Sequence, residues 1–286
     1  MIAISLTSNI KYNLKQYFEK KFLDKALYTN IHKNDLFYSG NNPSVLHKNG
    51  NTFESVANEW VYEQDISPPT GVEAPINVSG VYVNNTFYAN DSSPYYPSPD
   101  YLHGRIVFRS PPSDSDTVQA EFSYKDCVID YVDSDINNIL QTQYIGNPDY
   151  DSNNVYPSGL ERILPAMIIE PTIRSRVGRQ IGGGDVIDER VTFFIYSALS
   201  YEKDAVADIV YDAVREVIAG VDYKQAPEIL NYKGDRSSSY ETYTQMQSNY
   251  FWTNIYIDDM KIVERTKINK FIYMARIDIL LKIYID

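Results

Sequence analysis

Val191-Thr-Phe-Phe-Ile-Tyr-Ser-Ala-Leu199 and the stretch that follows, Ser200 and then Tyr201 to Ala219, set the architecture of the second half of the chain. The first segment is rich in β-branched and aromatic residues and has no Gly or Pro, so it reads as a strand. Ser200 offers an N-cap hydroxyl. Ala205, Ile209, Val210, Ala213, Val214, Val217 and Ile218 follow as one wide apolar stripe, and Gly220 stands as the C-terminal stop. That spacing predicts a helix over 201–219 lying on a sheet. Lys224 to Asn249 is mostly polar, with a flexible stretch at Gly234–Ser239, and two strands close the chain, Tyr250 to Ile262 and Lys270 to Ile285. The order predicts an α+β module with a mainly antiparallel sheet packed by one long helix.

Upstream lies Thr172-Ile-Arg-Ser-Arg-Val-Gly-Arg-Gln-Ile-Gly-Gly-Gly184. It reads as a long arginine-bearing loop, preceded by a strand within Leu160–Glu170 whose Pro165 suggests an edge or a bulge. Further upstream the character changes. Residues 9–29 read as an amphipathic helix with Leu14, Tyr17, Phe18, Phe22 and Leu27 at roughly helical spacing and lysines between them. Asn30 to Asn51 is polar and reads as loop. Phe53 to Ile66 reads as β structure ending at Pro68-Pro69. Gly80-Val-Tyr-Val-Asn-Asn-Thr-Phe-Tyr88 predicts a hairpin turning at Asn84-Asn85, residues that tolerate positive φ. Asn90 to His103 is a loop whose prolines forbid a central strand. Arg105–Arg109 and Thr117–Val132 read as strands, the latter with Val118, Ala120, Phe122 and Tyr124 on one face. A short helix is expected over Asp133–Tyr144. The first half therefore reads as an N-terminal helix with a β-rich barrel- or sandwich-like body. Two domains are expected, residues 1–150 and residues 151–286.

The 286 residues carry a net charge of −12, the opposite of what a general phosphate-backbone binder needs. Twenty-six tyrosines suit half-buried surfaces and interfaces, though a compositional bias toward Tyr, Asn, Ile and Lys gives the same count. Cys127 stands alone, so no intrachain disulfide or zinc cluster can form, and it reads as a small hydrophobe buried on a strand. No run reaches 18 consecutive apolar residues, and the first residues lack a basic region with an apolar core. The expectation is a soluble protein of a reducing compartment, with no membrane partner.

Catalytic chemistry is sparse. His32, His47 and His103 fall in loop contexts with no metal-ligand spacing, and neither GxSxG nor a P-loop occurs. Gly182-Gly183-Gly184 lacks the lysine and hydroxyl of a phosphate cradle. Asp149, Asp151 and Asn153 echo the start of a calcium loop, but Asn154 replaces the required glycine and Leu160 the closing carboxylate. The pairs Asp258-Asp259 and Asp133/Asp135 have no partner acid, base or nucleophile that can be named. No enzyme, metal or cofactor is expected. The strongest site candidate is Arg174, Arg176 and Arg179 with Gly182, Gly183 and Gly184, three guanidiniums able to pair with carboxylates of a neighbouring subunit or to face DNA in a channel. A solvated loop is the plainer alternative.

In element order, Leu160 to Asp286 resembles the tail-terminator and neck (head-to-tail connector) proteins of tailed bacteriophages. The likeness rests on a strand, a long loop, Val191-Thr-Phe-Phe-Ile-Tyr, a helix and two terminal strands. Gly80-Val-Tyr-Val-Asn-Asn-Thr-Phe-Tyr and Tyr101-Leu-His-Gly-Arg-Ile-Val-Phe resemble other phage virion proteins of that neighbourhood. The resemblance implies a homo-oligomeric ring, a hexamer, assembled in the host cytoplasm and resident in the virion. It implies contacts with the tail tube, a sheath if present and the neck, with DNA passing only transiently. Such a ring ends tube assembly and docks the filled head. The alternatives are another virion component (tail-tube, baseplate or fibre-attachment protein) and a carbohydrate-binding module using Tyr95, Tyr96 and Tyr101.

Overall fold

A computed structural model describes residues 2–38, 51–55, 57–113, 115–131, 164–170, 173–179, 185–267 and 272–285. The chain is α+β and forms two compact units that interleave in sequence. One, the sheet unit, takes residues 1–25, 127–226 and 243–286; the other, the sandwich unit, takes residues 26–126 and 227–242. The expected division near residue 150 is replaced by four chain crossings. The N-terminal helix belongs with the C-terminal sheet, and a sixteen-residue segment of the second half belongs with the β-rich body.

In the sandwich unit, β1 (Tyr28–Asp35), β8 (Val118–Lys125), β4 (Gly80–Val83) and β5 (Thr86–Ala89) form one sheet in the order β1-β8-β4-β5. The second sheet runs β2-β3-β7-β6, built from β2 (Phe37–Tyr38), β3 (Thr52–Glu54), β7 (Arg105–Phe108) and β6 (Pro97–Asp100). Val81, Ala120 and Phe122 from the first sheet and Phe53, Ile106 and Phe108 from the second share one buried core. Trp60 lies within it, fully buried and stacked on Phe122 at 4.4 Å. The expected hairpin is present. Asn84 (φ 48°) and Asn85 (φ 67°) both adopt the left-handed region that matches the twist of a tight two-residue turn. The proline-rich segment does contain a strand, β6, but at the edge of its sheet, where a missing N–H costs no ladder bond. β1 was expected as loop; its polar residues pair with β8 as an edge strand, half of them exposed.

In the sheet unit a mixed seven-stranded sheet runs β13-β14-β15-β12-β10-β9, with β11 also on β12. Its strands are β9 (Val128–Tyr131), β10 (Ala166–Ile169), β11 (Ile173–Arg179), β12 (Asp185–Ser197), β13 (Val217–Val221), β14 (Phe251–Lys267) and β15 (Tyr273–Ile285). All its described pairings are antiparallel except β9 with β10. The expected continuous strand over 117–132 is divided between the units, and buried Cys127 sits just before β9. Pro165 precedes β10, which is an internal, fully buried strand and not an edge. Among the described residues, three helices belong to this unit: α1 (Ile2–Asp24), α2 (Ser200–Tyr211) and α3 (Tyr243–Asn249).

The 201–219 helix ends early, at Tyr211. Arg215 takes a positive φ of 69°, and Val217–Val221 pairs with β14 instead. Its cap also differs. Leu199 occupies the cap position without a side-chain bond, and Ser197 Oγ accepts from Leu199 N and donates to Glu202 Oε2. The buried stripe is Val206, Ala207 and Val210, with Ala213 beyond it; Ala205 faces water. The long helix is α1. Phe18 meets Phe193 edge-on at 5.2 Å, and Leu6, Ile10, Leu14, Phe18 and Phe22 are all buried. The helix is thus part of the core of its own unit. The helix expected over 133–144 lies outside the described residues.

Candidate interaction surfaces

The surface of the sheet unit is described by its edges and its outer face. At the β13 edge, Asn13 of α1 replaces a neighbouring strand. Its Nδ2 donates to Val221 O (2.8 Å) and its Oδ1 accepts from Val221 N (2.7 Å), while Asn9 Oδ1 accepts from Tyr223 N. A buried amide satisfying both backbone groups closes that edge to another strand. The distal half of β14, beyond the reach of β13, has no described strand on its second side; it is interrupted by two bulges and carries Asp258, Asp259, Lys261, Glu264, Arg265 and Lys267. Bulges and charge are how proteins keep such an edge from pairing promiscuously.

Arg174, Arg176 and Arg179 do not stand on a loop. They lie on β11, which pairs on one side with β12 and with no other described strand. Antiparallel pairing with the acidic start of the next strand, β12, turns an arginine- and glycine-rich segment into a strand. In register, Arg174 is opposite Glu189, Arg176 opposite Asp188, and Arg179 opposite Asp185, with a bulge between Arg174 and Arg176. Each arginine position is thus opposite, in register, a carboxylate position of its own chain. Glu189 is buried, and its Oε2 has no hydrogen-bond partner among the described residues. Gly182, Gly183 and Gly184 lie outside the described residues.

On the outer face of the sheet, Lys282 pairs with Asp258 at 2.7 Å, Arg276 with Asp278 at 3.1 Å, and Thr192 donates to Asp278 at 3.0 Å. The Asp258-Asp259 pair thus includes one member held by a lysine. Tyr256 and Tyr284 meet edge-on at 5.1 Å, both partly exposed beside Val217. Among the described residues, this face is a mosaic of paired charges and aromatic rings.

The sandwich unit contributes a polar cluster that loop context did not foretell. Asp100 is buried, Arg105 Nε donates to its Oδ2 at 2.8 Å, and His103 Nδ1 lies 2.9 Å from the same oxygen. Burial works to raise the Asp100 carboxyl, but the His103 and Arg105 contacts outweigh it and hold the group below its ordinary range. The hydrogen bond to Asp100 pushes His103 up, against its burial and the Arg105 charge and with help from Asp100 and Glu59. A histidine raised on folding stabilises the native state most below its unfolded pKa, and the contribution fades as pH rises through the folded pKa. Expected result: the urea midpoint of wild type exceeds that of His103→Gln by most at pH 5.5, and the gap narrows toward pH 8. A gap that widens with pH contradicts the assignment.

The remaining candidates are dispersed. His32 pairs with Glu73 at 3.2 Å on the surface, and His47 and the Asp149–Asn153 segment lie outside the described residues. Tyr101 is a core residue and Tyr95 packs edge-on against Tyr88, so Tyr95, Tyr96 and Tyr101 do not form one exposed platform for a sugar. No group of three or more His, Cys, Asp or Glu among the described residues is placed to hold a metal, and no described helix is long and apolar enough to cross a membrane. No protein-family model matches the chain, and no curated protein matches it in sequence.

Proposed function

We propose that the chain is a structural virion protein of a tailed phage, assembling with copies of itself into a ring at the neck, the head-proximal end of the tail. There it ends tail-tube growth and joins tail to head by surface complementarity. The observation that carries this reading is β11: a basic strand on a long mixed sheet, with one side paired and the other without a described strand. The guarded edges at β13 and β14 fit a sheet that limits where a neighbour can add, as a closed heterologous ring needs. Two β11 strands from a symmetric pair would set arginine against arginine, which disfavours an isologous contact and favours a head-to-tail one.

The test is the triple variant Arg174, Arg176 and Arg179→Ala. It is expected to weaken oligomerisation by about tenfold or more, the scale of losing an interface hot spot. Because the arginines are also in register with their own chain's carboxylates, circular dichroism and thermal unfolding of the variant separate misfolding from lost assembly. A folded variant with unchanged oligomer mass contradicts the pairing.

A further inference from the structure

Two turns of the sandwich unit are locked together and present an exposed knob. Tyr101 N donates to Gly234 O at 2.9 Å, and Gly234, with φ of 83°, lies so close to Asp100 that a Cβ there would come within 2.0 Å of Oδ1. Within the second turn, Gly234 N donates to Asn231 O, Asn231 N to Asp235 O, and Lys233 N to Asn231 Oδ1. Arg236 anchors the segment from behind, its guanidinium between the rings of Tyr101 and Tyr240 and its Nε on Tyr62 O at 2.8 Å. On this frame Tyr232 is 90% exposed, the most exposed large hydrophobic among the described residues, with Leu102 at 42%. Lys233 places its ammonium by the Tyr232 ring, and His103 (side chain 58% exposed) follows Leu102, on a strongly acidic chain. The turns are held by backbone bonds, so a partner meets an aromatic anchor that loses little conformational freedom on binding.

The sheet unit carries a stripe of the opposite charge. On α2, Tyr201 (68% exposed), Ala205, Asp208 and Asp212 follow one line of the helix surface, with Tyr211 alongside. Glu202, Asp204, Asp208 and Asp212 outnumber Lys203 and the neighbouring Arg265, which reaches Asp204 and Asp208 at 3.2 Å. We infer that the knob of one copy docks on the α2 stripe of a second copy, Tyr232 against Tyr201 and Tyr211, Lys233 and His103 facing Asp208 and Asp212. Aromatic anchors with opposite charges around them are the usual composition of an interface centre and rim. The contact is heterologous, since knob and stripe are different surfaces. It rests on the self-assembly reading above but not on the arginine strand.

The experiment is sedimentation velocity of the full chain over a concentration series at low salt, with Tyr232→Ala, Lys233→Glu, Asp208→Lys and the double variant Lys233→Glu/Asp208→Lys. Tyr232 and Lys233 are exposed; Asp208 also holds Arg265, so circular dichroism of Asp208→Lys separates a disturbed fold from lost docking. Wild type is expected to associate, each single variant to raise the dissociation constant about tenfold or more, and the charge-swapped double variant to recover much of the loss. Wild-type association that is untouched by every single variant overturns the docking and leaves the ring reading standing. A wild-type chain that is monomeric throughout overturns the docking and removes self-assembly by the chain alone.

Discussion

Replacing Trp60 with alanine lowers the stability of the sandwich unit by about 3–5 kcal/mol, the range for deleting a large aromatic from a packed core. Trp60 is fully buried, stacks on Phe122 at 4.4 Å, and its Nε1 donates to Ser55 Oγ at 3.2 Å. The backbone around it is bonded as closely. Trp60 N donates to Tyr101 O and Val61 N to Ser123 O, so the segment around the indole is bonded both to the turn after β6 and to β8. A collapse that fills the void would have to move both. Chemical denaturation should show a lower midpoint with little change in slope. A loss under about 1 kcal/mol would mean that the indole is not the centre of this core.

Asn13→Ala is the second large effect, about 2–4 kcal/mol in the sheet unit. The substitution removes the donor to Val221 O and the acceptor from Val221 N, and Val221 is itself fully buried. Two buried backbone groups left without partners cost about 1–3 kcal/mol each. The variant also unmasks the β13 edge, so it is expected to aggregate at concentrations where wild type does not. Thermal unfolding followed by light scattering reads both. A variant as stable as wild type would show that water replaces the amide and that the edge was never closed by it.

What could be read in the sequence divides by the range of the interactions that decide each element. The Asn84-Asn85 hairpin and the strands β12 and β15 were legible because their signals are local: a turn pair that accepts positive φ and long apolar, β-branched runs. The end of α2 was not. Val214, Val217 and Ile218 keep helical spacing, and only pairing with β14 makes 217–221 a strand. β11 was missed for a different reason: its partner β12 is the next strand, but arginine and glycine carry little strand propensity of their own. Asn9 and Asn13 look like ordinary polar positions on a helix surface; their role appears once Val221 and Tyr223 are beside them. The Asp100–His103–Arg105 cluster was hidden by its loop context, although an Asp three residues before a His and five before an Arg is a spacing that one turn and one strand bring together. The affiliation of 227–242 with the sandwich had no local signal, since it depends on Arg236 and Tyr240 meeting residues far away in the chain.

The most direct test of the central claim is the mass of the purified chain in solution, by light scattering across concentration and salt, alone and with tail tube. One closed species of about six copies is expected, formed by the chain alone or on the tube's end, with no growth beyond it. Open filaments that lengthen with concentration, or a monomer indifferent to concentration and to every virion component, would contradict it.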